Sequence, residues 1–219
     1  MSGQEILNKD DRAVNPDGRV GSADGDPKPL KGNYRMAFNF NWALFDVLLK
    51  YIKPVPGEII LDLGCSRGYY VREMASYTDG AIGVDISEDS LKYAVSPRVK
   101  YGDITNLDFE TGSVDKIYCL HTVEHLQDLP CFFAETARVL KDGGIAIVVY
   151  PWEPVRGFQA IVAAIRQYKN PFKARQIHLH RLTPRRIVNF TEGIPLTHVE
   201  SKLVLAMGVQ YLTVFRKES

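Results

Sequence analysis

Short apolar segments alternate with amphipathic segments along most of this chain, and the two patterns predict different elements. Apolar runs bounded by turn residues predict strands at 58–63, 81–84, 99–101, 113–120 and 145–150. Apolar positions at helical spacing predict helices at 69–77, 88–94 and 130–140. Strands that alternate with helices in this way are typical of a parallel sheet with crossover helices.

The two ends of this pattern complete the predicted fold. Before the first strand, a helix is predicted from the spacing of Phe38, Trp42, Phe45, Leu48, Leu49 and Ile52, and it ends before Pro54. Residues 195–219 predict two strands joined around Met207 and Gly208, which form an antiparallel hairpin at the edge of the sheet. The sequence therefore predicts an α/β domain with a mostly parallel sheet.

Residues 1–32 have a different composition from the rest of the chain. They contain mainly polar residues, glycine and proline and hardly any large apolar side chain. Such a segment buries too little apolar surface to offset the entropy cost of ordering it. We predict a flexible polar tail at 1–32 and one domain at 33–219, a size within the range of single domains.

Charge and cysteine content narrow the functional classes. The 27 basic and 26 acidic residues leave a net charge of +1, so the whole molecule has no long-range field that would recruit nucleic acid or membrane. Cys65, Cys119 and Cys131 form neither a disulfide framework nor a CxxC motif, which favours a reducing, cytoplasmic location. Since no apolar leader or long apolar run is present, we expect a soluble protein without a transmembrane segment.

Glycine and polar residues follow the first three predicted strands, at the end of the sheet where open α/β folds bind ligands. The segment LDLGCSRG places Gly64 and Gly68 in a tight turn before a helix. Its spacing is not the G-x-G-x-x-G of dinucleotide-binding proteins, so a nicotinamide cofactor is not favoured. Asp85 ends the second strand, where a carboxylate accepts hydrogen bonds from ribose hydroxyls. Residues 102–104 then offer one polar and one apolar group suited to adenine.

The series LDLGCSRG, GVDIS, GDITNLDF, CLHTVEHL and RVLKDGGIAIVVYP resembles the class I S-adenosylmethionine-dependent methyltransferases over about residues 33–219. The resemblance implies a doubly wound, Rossmann-like sheet of seven strands with S-adenosyl-L-methionine as cofactor. It implies methionine contacts near Asp62, ribose contacts at Asp85 and adenine contacts at Asp103. The complete cofactor set that it implies is Asp62, Gly64, Cys65, Ser66, Gly68, Asp85, Ile86, Gly102, Asp103, Ile104 and Leu120.

One position departs from the pattern of that family. Ser66 stands where the family usually has glycine, and the bulky Arg67 follows it. Serine still fits a tight turn, so we expect a slightly altered cofactor site.

The segment CLHTVEHL directly follows the fourth predicted strand and allows three interpretations. In the first, Glu124 and His125 only pack or cap locally, as in the E-H-hydrophobic turn of the resembling family. In the second, His121 is a general base or orients the acceptor, a role that suits histidine near neutral pH. His121 is the strongest single candidate for a catalytic residue, because the resemblance places the donor methyl group beside it.

In the third interpretation, His121, Glu124 and His125 share a divalent metal with His178 or His180 from QIHLHRLTP. Some methyltransferases that act on RNA ends or quinone precursors resemble this chain in carrying E-x-x-E-H there and binding a metal with it. With His121 in place of the first glutamate, the set would prefer Zn²⁺, Fe²⁺ or Mn²⁺ to Mg²⁺. The same substitution equally favours a site that binds no metal. An inverted zinc-protease motif is not favoured, because that motif belongs on a long helix.

Residues 151–192, which we call the lid segment, carry a strong local charge asymmetry. From 154 to 191 there is no acidic residue, and the basic residues are Arg156, Arg166, Lys169, Lys173, Arg175, Arg181, Arg185 and Arg186. Helical spacing predicts an apolar face that docks on the domain, formed by Phe158, Ile161, Val162, Ile165 and Tyr168. In that case the basic side chains are only solvated. Alternatively, they bind an acidic acceptor, a membrane surface or RNA.

These observations favour a methyltransferase that modifies an oxygen or nitrogen of a small acceptor, anionic or lipid-linked. A metal-assisted RNA methyltransferase is the first alternative, although sparse aromatic residues in the lid segment argue against a single-strand stacking surface. A module that binds S-adenosylmethionine without turnover is the second alternative.

Overall fold

The computed structural model describes residues 40–206 and 208–219. The predicted polar tail at 1–32, the start of the domain at 33 and the turn residue Met207 lie outside these residues. The first helix, α1 (Trp42–Ile52), begins after Asn41, whose side chain accepts a hydrogen bond from the Leu44 amide. Its buried face, including Phe45 and Leu48, packs against the sheet.

Seven strands form one sheet in the order β3-β2-β1-β4-β5-β7-β6. Their bounds are β1 (Ile59–Leu63), β2 (Gly80–Asp85), β3 (Val99–Tyr101), β4 (Val114–Leu120), β5 (Leu140–Pro151), β6 (Leu196–Leu205) and β7 (Val209–Lys217). The first five strands are parallel, and β7 is antiparallel to both of its neighbours, β5 and β6. The predicted α/β fold class, with its C-terminal antiparallel hairpin, is confirmed.

Helices cover both faces of the sheet, as the alternating pattern predicts. The crossover helices are α2 (Tyr69–Met74), α3 (Glu88–Leu91) and α4 (Leu129–Val139). One core contains side chains of α4, such as Phe132 and Phe133, and the other contains α1 and α2. Two separate cores, one on each face, are what a doubly wound sheet produces.

Some predicted boundaries are wrong. The α3 helix is a single turn that ends at Leu91, not at 94. The β5 strand begins at Leu140, before the predicted 145, and its register against β4 shifts between the pairs of Val114 and Lys116. The glycines at 143 and 144 therefore lie within an irregular strand start, where such bulges occur.

The lid segment folds into short helices between β5 and β6. They are α5 (Ile161–Tyr168), a 3₁₀ turn (Pro171–Lys173), α6 (Ala174–Ile177) and α7 (Pro184–Asn189), the last capped by the Thr183 side chain. In the part of the chain that the structure describes, no helix has both the length and the apolarity to cross a membrane.

The predicted docking face of the lid helix is wrong. The α5 helix buries its small residues Ala163 and Ala164, whereas Val162 is 58% exposed and Ile165 is also exposed. Phe172, in the following turn, is 87% exposed. The α5 helix therefore packs through alanines, with Ala164 in a small cluster with Ala160 and Ala174 of the lid segment itself, and an apolar surface remains in contact with solvent.

Candidate functional site

A cavity of about 670 Å³ lies at the carboxyl ends of β1, β2 and β4, with the lid segment forming its opposite wall. This volume is within the range of small-molecule sites. Most of the predicted cofactor residues line it, namely Asp62, Gly64, Cys65, Ser66, Asp85, Ile86, Asp103, Ile104 and Leu120. His121, Glu124, His125 and His178 line the same cavity. We call these four residues the histidine cluster. The structure thus brings the predicted cofactor residues and the histidine cluster together.

Gly68 and Gly102 from the predicted cofactor set do not line this cavity. At Gly68, where φ is +77°, an added Cβ would lie 2.4 Å from the Val99 side chain. At Gly102 it would lie 2.9 Å from the Val84 side chain. Both glycines permit close packing of neighbouring elements, so this part of the cofactor prediction is not supported by the geometry.

Asp85 is fixed by the turn between β1 and α2. Its Oδ2 accepts a hydrogen bond from the Ser66 amide at 2.7 Å, and its Oδ1 accepts one from the Ser87 amide at 2.8 Å. Burial raises the pKa of Asp85, and these backbone hydrogen bonds only partly offset the effect. A carboxylate oriented in this way still lines the cavity, where its remaining lone pairs face the position for a ribose.

The turn that holds Asp85 depends on left-handed backbone conformations. Gly64 has φ of +81°, and Ser66 has φ of +51°. Ser66 thus adopts the conformation that the family's usual glycine would adopt most easily. The departure from the family pattern costs some backbone strain, yet the Ser66 amide still reaches Asp85.

A Gly64→Ala substitution is expected to destabilise the protein by about 2 kcal/mol more than Gly193→Ala, in denaturant unfolding. Both glycines have similar φ, +81° and +76°, so both alanines experience comparable backbone strain. The Cβ at Gly64 would lie 2.2 Å from the Thr122 side chain, whereas nothing lies within 4 Å of the Cβ position at Gly193. An equal decrease in the free energy of unfolding for the two variants would contradict the close packing of this turn.

Asp62 lies at the bottom of the cavity and is almost fully buried. Burial, and next the charge of Asp85, raise the pKa of Asp62 well above its usual range, while a hydrogen bond with the Tyr118 hydroxyl lowers it in part. Keeping this carboxylate ionised costs folding free energy in the ligand-free protein. A cationic ligand group beside Asp62 would reduce that cost.

We expect Asp62→Asn to stabilise the ligand-free protein near neutral pH by about 1 kcal/mol, or ~2–4 °C in Tm. The pKa of Asp62 is higher in the folded than in the unfolded protein. The free-energy cost of ionising the buried carboxylate is therefore absent below the pKa of the unfolded protein, and it appears as the pH rises above that value. The stability difference between the variant and the wild type, measured by scanning calorimetry, should therefore vanish in acid and grow with pH. An Asp89→Asn control changes an exposed carboxylate and should show little effect. A gain that is independent of pH would contradict the buried charge.

Cys65 and Cys119 are both buried, and burial raises the pKa of each thiol far above its usual value. Such thiols remain protonated and unreactive. Cys65 therefore contributes packing to the cavity wall and not a nucleophile.

Asp103 differs from Asp85 because it is exposed at the rim of the cavity. Its Oδ1 accepts hydrogen bonds from the Thr105 amide and hydroxyl, at 2.8 and 2.7 Å. Ile86, which is 56% exposed, and the buried Ile104 line the cavity near it. An exposed isoleucine at a cavity rim offers an apolar surface for a flat ring.

His121 directly follows β4 in a left-handed conformation with φ of +52°. The Gln210 side chain donates to the Ala206 carbonyl, so its Oε1 accepts the hydrogen bond from His121 Nε2. This assigns the proton of the neutral ring to Nε2 and leaves Nδ1 as the basic atom. Nδ1 lies 3.6 Å from Glu124 Oε1. The ring thus faces the cavity with a carboxylate placed to stabilise its protonated form.

The histidine cluster is only partly as predicted. Glu124, His125 and His178 each offer one ligand atom, and these atoms all lie within 4.8 Å of one another. His180 lies outside this group because its Nε2 is hydrogen-bonded to the Leu126 carbonyl at 2.8 Å. His121 contacts Glu124 but does not belong to the group. Of the predicted set, Glu124 and His125 belong to the group, and of the two alternatives His178 and His180, it is His178 that joins them.

Two polar partners in this region could not be identified from sequence. Glu153, just after β5, accepts a hydrogen bond from His178 Nδ1 at 2.9 Å and also from the Gly157 and Gln159 amides. Gln210 reaches His121 from β7. The sequence contains only a faint signal for Glu153, as the last acidic residue before a long basic stretch.

Comparison with known proteins agrees with this geometry. Residues 61–148 match the family model described as a methyltransferase domain, and this range runs from β1 to β5 across the Asp62, Asp85 and His121 positions. A probable S-adenosylmethionine-dependent methyltransferase of Mycolicibacterium smegmatis is 30% identical over 135 residues, which cover 58% of this chain and 49% of that protein. These matches identify a methyltransferase domain at residues 61–148, and the chain is similar there to S-adenosylmethionine-dependent methyltransferases.

Two further relatives show how far the similarity extends. The sterol 24-C-methyltransferase of Saccharomyces cerevisiae is 32% identical over 107 residues, 44% of this chain and 28% of that protein. The chain thus spans about a quarter to a half of the length of these two curated relatives. A geranyl diphosphate methyltransferase solved with S-adenosylmethionine has the same fold, with a TM-score of 0.60 and 19% identity over 81% of this chain and 85% of that one.

The residues that line the cavity fit S-adenosylmethionine as the cofactor. Asp85 has the position and the free lone pairs for ribose hydroxyls. Gly64 lines the cavity and lets the β1–α2 turn pack closely against the Thr122 side chain. A cationic group of S-adenosylmethionine beside the buried Asp62 would stabilise its carboxylate form, which burial disfavours. Ile86 and Ile104 supply an apolar surface for the adenine.

Proposed function

We propose that this protein transfers the methyl group of S-adenosylmethionine to an oxygen or nitrogen of a small acceptor, anionic or lipid-linked. One observation carries the proposal, namely the single cavity in which Asp85 and the β1–α2 turn meet His121 and the lid segment. The cofactor residues occupy the β1–β2 side, and imidazole and carboxamide groups occupy the lid side. Donor and acceptor would therefore bind next to each other.

The cofactor supplies an activated methyl group on a sulfonium, so the protein chiefly has to align an acceptor and receive its proton. Alignment alone is worth about 7–11 kcal/mol in such reactions. His121 Nδ1 is placed to receive the proton from an acceptor hydroxyl or amine, and Glu124 Oε1 at 3.6 Å would stabilise the resulting imidazolium. Gln210 orients the ring by holding Nε2.

The lid segment supports an acceptor that is anionic or carried by a lipid. Exposed apolar side chains, Val162, Ile165 and Phe172, lie beside the exposed basic residues Arg166 and Lys169. Apolar side chains flanked by basic ones are typical of contacts with anionic membrane surfaces. The basic residues alone would also attract a free anionic acceptor.

A vesicle sedimentation assay tests the membrane contact. We expect the wild type to bind vesicles of anionic phospholipid at low salt, and a Val162→Ser/Phe172→Ser variant to bind about tenfold more weakly. Val55→Ser is the matched control, because Val55 is 54% exposed and precedes β1, at the amino ends of the parallel strands and not at the carboxyl ends, where the lid segment lies. Wild-type protein that does not sediment with anionic vesicles would contradict the membrane contact and leave a free anionic acceptor.

The transfer reaction is tested with labelled S-adenosylmethionine and a fractionated cell extract. The expected result is label in the lipid or small-anion fraction, and none with Asp85→Asn. Label found only in RNA, with transfer that falls steeply as salt rises, would overturn the proposed acceptor class.

A further inference from the structure

We propose that Glu124, His125 and His178 bind one divalent transition-metal ion at the acceptor end of the cavity. Their ligand atoms lie within 4.8 Å of one another, and all three side chains line the cavity. Methyl transfer from S-adenosylmethionine needs no metal, so this site goes beyond the proposed function. The cluster is assembled from two distant parts of the chain, the turn after β4 and the lid segment.

Both imidazoles are oriented with one nitrogen free for a ligand. His125 Nδ1 donates to the Ile177 carbonyl at 2.7 Å, and His178 Nδ1 donates to Glu153 Oε1 at 2.9 Å. The protons are therefore on the Nδ1 atoms, and each Nε2 keeps its lone pair. Metal-binding histidines are held in this way, by a carbonyl or a carboxylate on the other ring nitrogen.

Glu124 provides an independent sign of a bound cation. The residue is 1% exposed, and within the described part of the chain its Oε2 has no hydrogen-bond partner. A buried carboxylate oxygen without a partner is costly. A cation bound at Oε2 would offset that cost.

The lid segment is fastened at this position. The Glu124 carbonyl accepts a hydrogen bond from the Leu179 amide at 2.8 Å. This contact places His178 against His125, with ring centroids 5.1 Å apart. Glu153 is itself held by the Gly157 and Gln159 amides, so the carboxylate behind His178 is also fixed.

Two imidazoles and one carboxylate favour Zn²⁺ or Fe²⁺ over Mg²⁺ and Ca²⁺, which prefer oxygen ligands. In a tetrahedral site the ligand atoms lie about 3.3 Å apart, so the three groups would have to close slightly around the ion. His125 is exposed and can make that adjustment. Three protein ligands leave an open position towards the cavity, which suits water or an oxygen atom of the acceptor.

Metal binding is measured on the full chain after removal of metal with a chelator, by titration calorimetry with Zn²⁺ and by the absorption spectrum of bound Co²⁺. The expected result is one ion per chain. We expect His178→Ala and Glu124→Gln to weaken binding at least 100-fold, and Glu153→Gln, which changes only the group behind His178, about tenfold. His180→Ala is the matched control, since it removes a histidine of the same segment outside the group and should leave affinity unchanged.

His125→Ala keeps the test decisive if the buried variants fail to fold, because His125 is exposed. This variant should fold and also lose the ion. The absence of stoichiometric Zn²⁺ in the wild type would overturn the proposal, as would equal losses for His178→Ala and His180→Ala. The measurement needs neither cofactor nor acceptor, so its outcome is separate from that of the proposed methyl transfer.

Discussion

Replacing Asp85 by asparagine is expected to weaken S-adenosylmethionine binding by about 100-fold. The carboxylate now accepts two backbone hydrogen bonds, from Ser66 and Ser87, one on each oxygen. An amide can accept only one of them, and its NH₂ group would face the other N–H group. The substitution therefore disturbs the β1–α2 turn and also removes the charge that would bind the ribose hydroxyls.

The size of this effect follows from the two hydrogen bonds that the ribose hydroxyls would donate to the Asp85 carboxylate. Two bonds to a charged acceptor are worth about 3 kcal/mol together, which corresponds to ~100-fold in Kd. Titration calorimetry of the folded variant measures the change. Asp89→Asn is the control, because Asp89 is exposed and paired only with Lys92 among the described residues. If the Asp85→Asn variant bound S-adenosylmethionine with wild-type affinity, Asp85 would not contact the cofactor.

Replacing His121 by asparagine should reduce the rate of methyl transfer by about 10²–10⁴, the usual contribution of a general base. Asparagine is preferred to alanine in this test because it tolerates the left-handed backbone found at this position, with φ of +52°. It cannot receive a proton, so the imidazolium that Glu124 would stabilise no longer forms. S-adenosylmethionine affinity should change by less than about threefold, because His121 lies on the acceptor side.

The control for this variant is His198→Asn. His198 lies on β6, where its Nε2 contacts the Ser201 hydroxyl, and it does not line the cavity. Initial rates of label transfer from saturating S-adenosylmethionine compare the two variants. If His121→Asn protein transferred methyl groups at the wild-type rate, His121 would not be the general base. Alignment of the acceptor would then be the source of catalysis.

The cofactor side of the site was predictable because its residues are encoded by position along single strands. Asp62, Gly64 and Asp85 end consecutive parallel strands, and such ends meet at one edge of a sheet. Knowing the strands was therefore enough to place these residues together. Gly68 and Gly102 follow the same rule, but the structure shows that they serve packing.

The acceptor side was less predictable because it depends on contacts between distant segments. His178 and His180 are two residues apart in the stretch between α6 and α7, yet His178 Nδ1 reaches Glu153 and His180 Nε2 reaches the Leu126 carbonyl. Sequence alone does not tell which of them faces Glu124. Glu153 and Gln210 likewise act only through the packing of β5, β7 and the lid segment.

The packing of the lid helix α5 also could not be predicted from the sequence alone. Helical spacing correctly indicates an apolar face that includes Val162 and Ile165, but not the side that packs on the domain. Close packing is made by Ala163 and Ala164, because small side chains allow the backbone to approach. The larger side chains remain exposed, and the proposed membrane contact depends on them.

Titration of S-adenosylmethionine into the full-length protein tests the central claim most directly, because every proposed role of the cavity depends on the binding of this cofactor. We expect one molecule to bind per chain with a Kd below about 1 mM, and S-adenosylhomocysteine to compete for the same site. Nicotinamide dinucleotides should not compete, since the turn after β1 lacks their glycine spacing. No binding of S-adenosylmethionine to folded protein, or preferential binding of a nicotinamide dinucleotide, would contradict the claim.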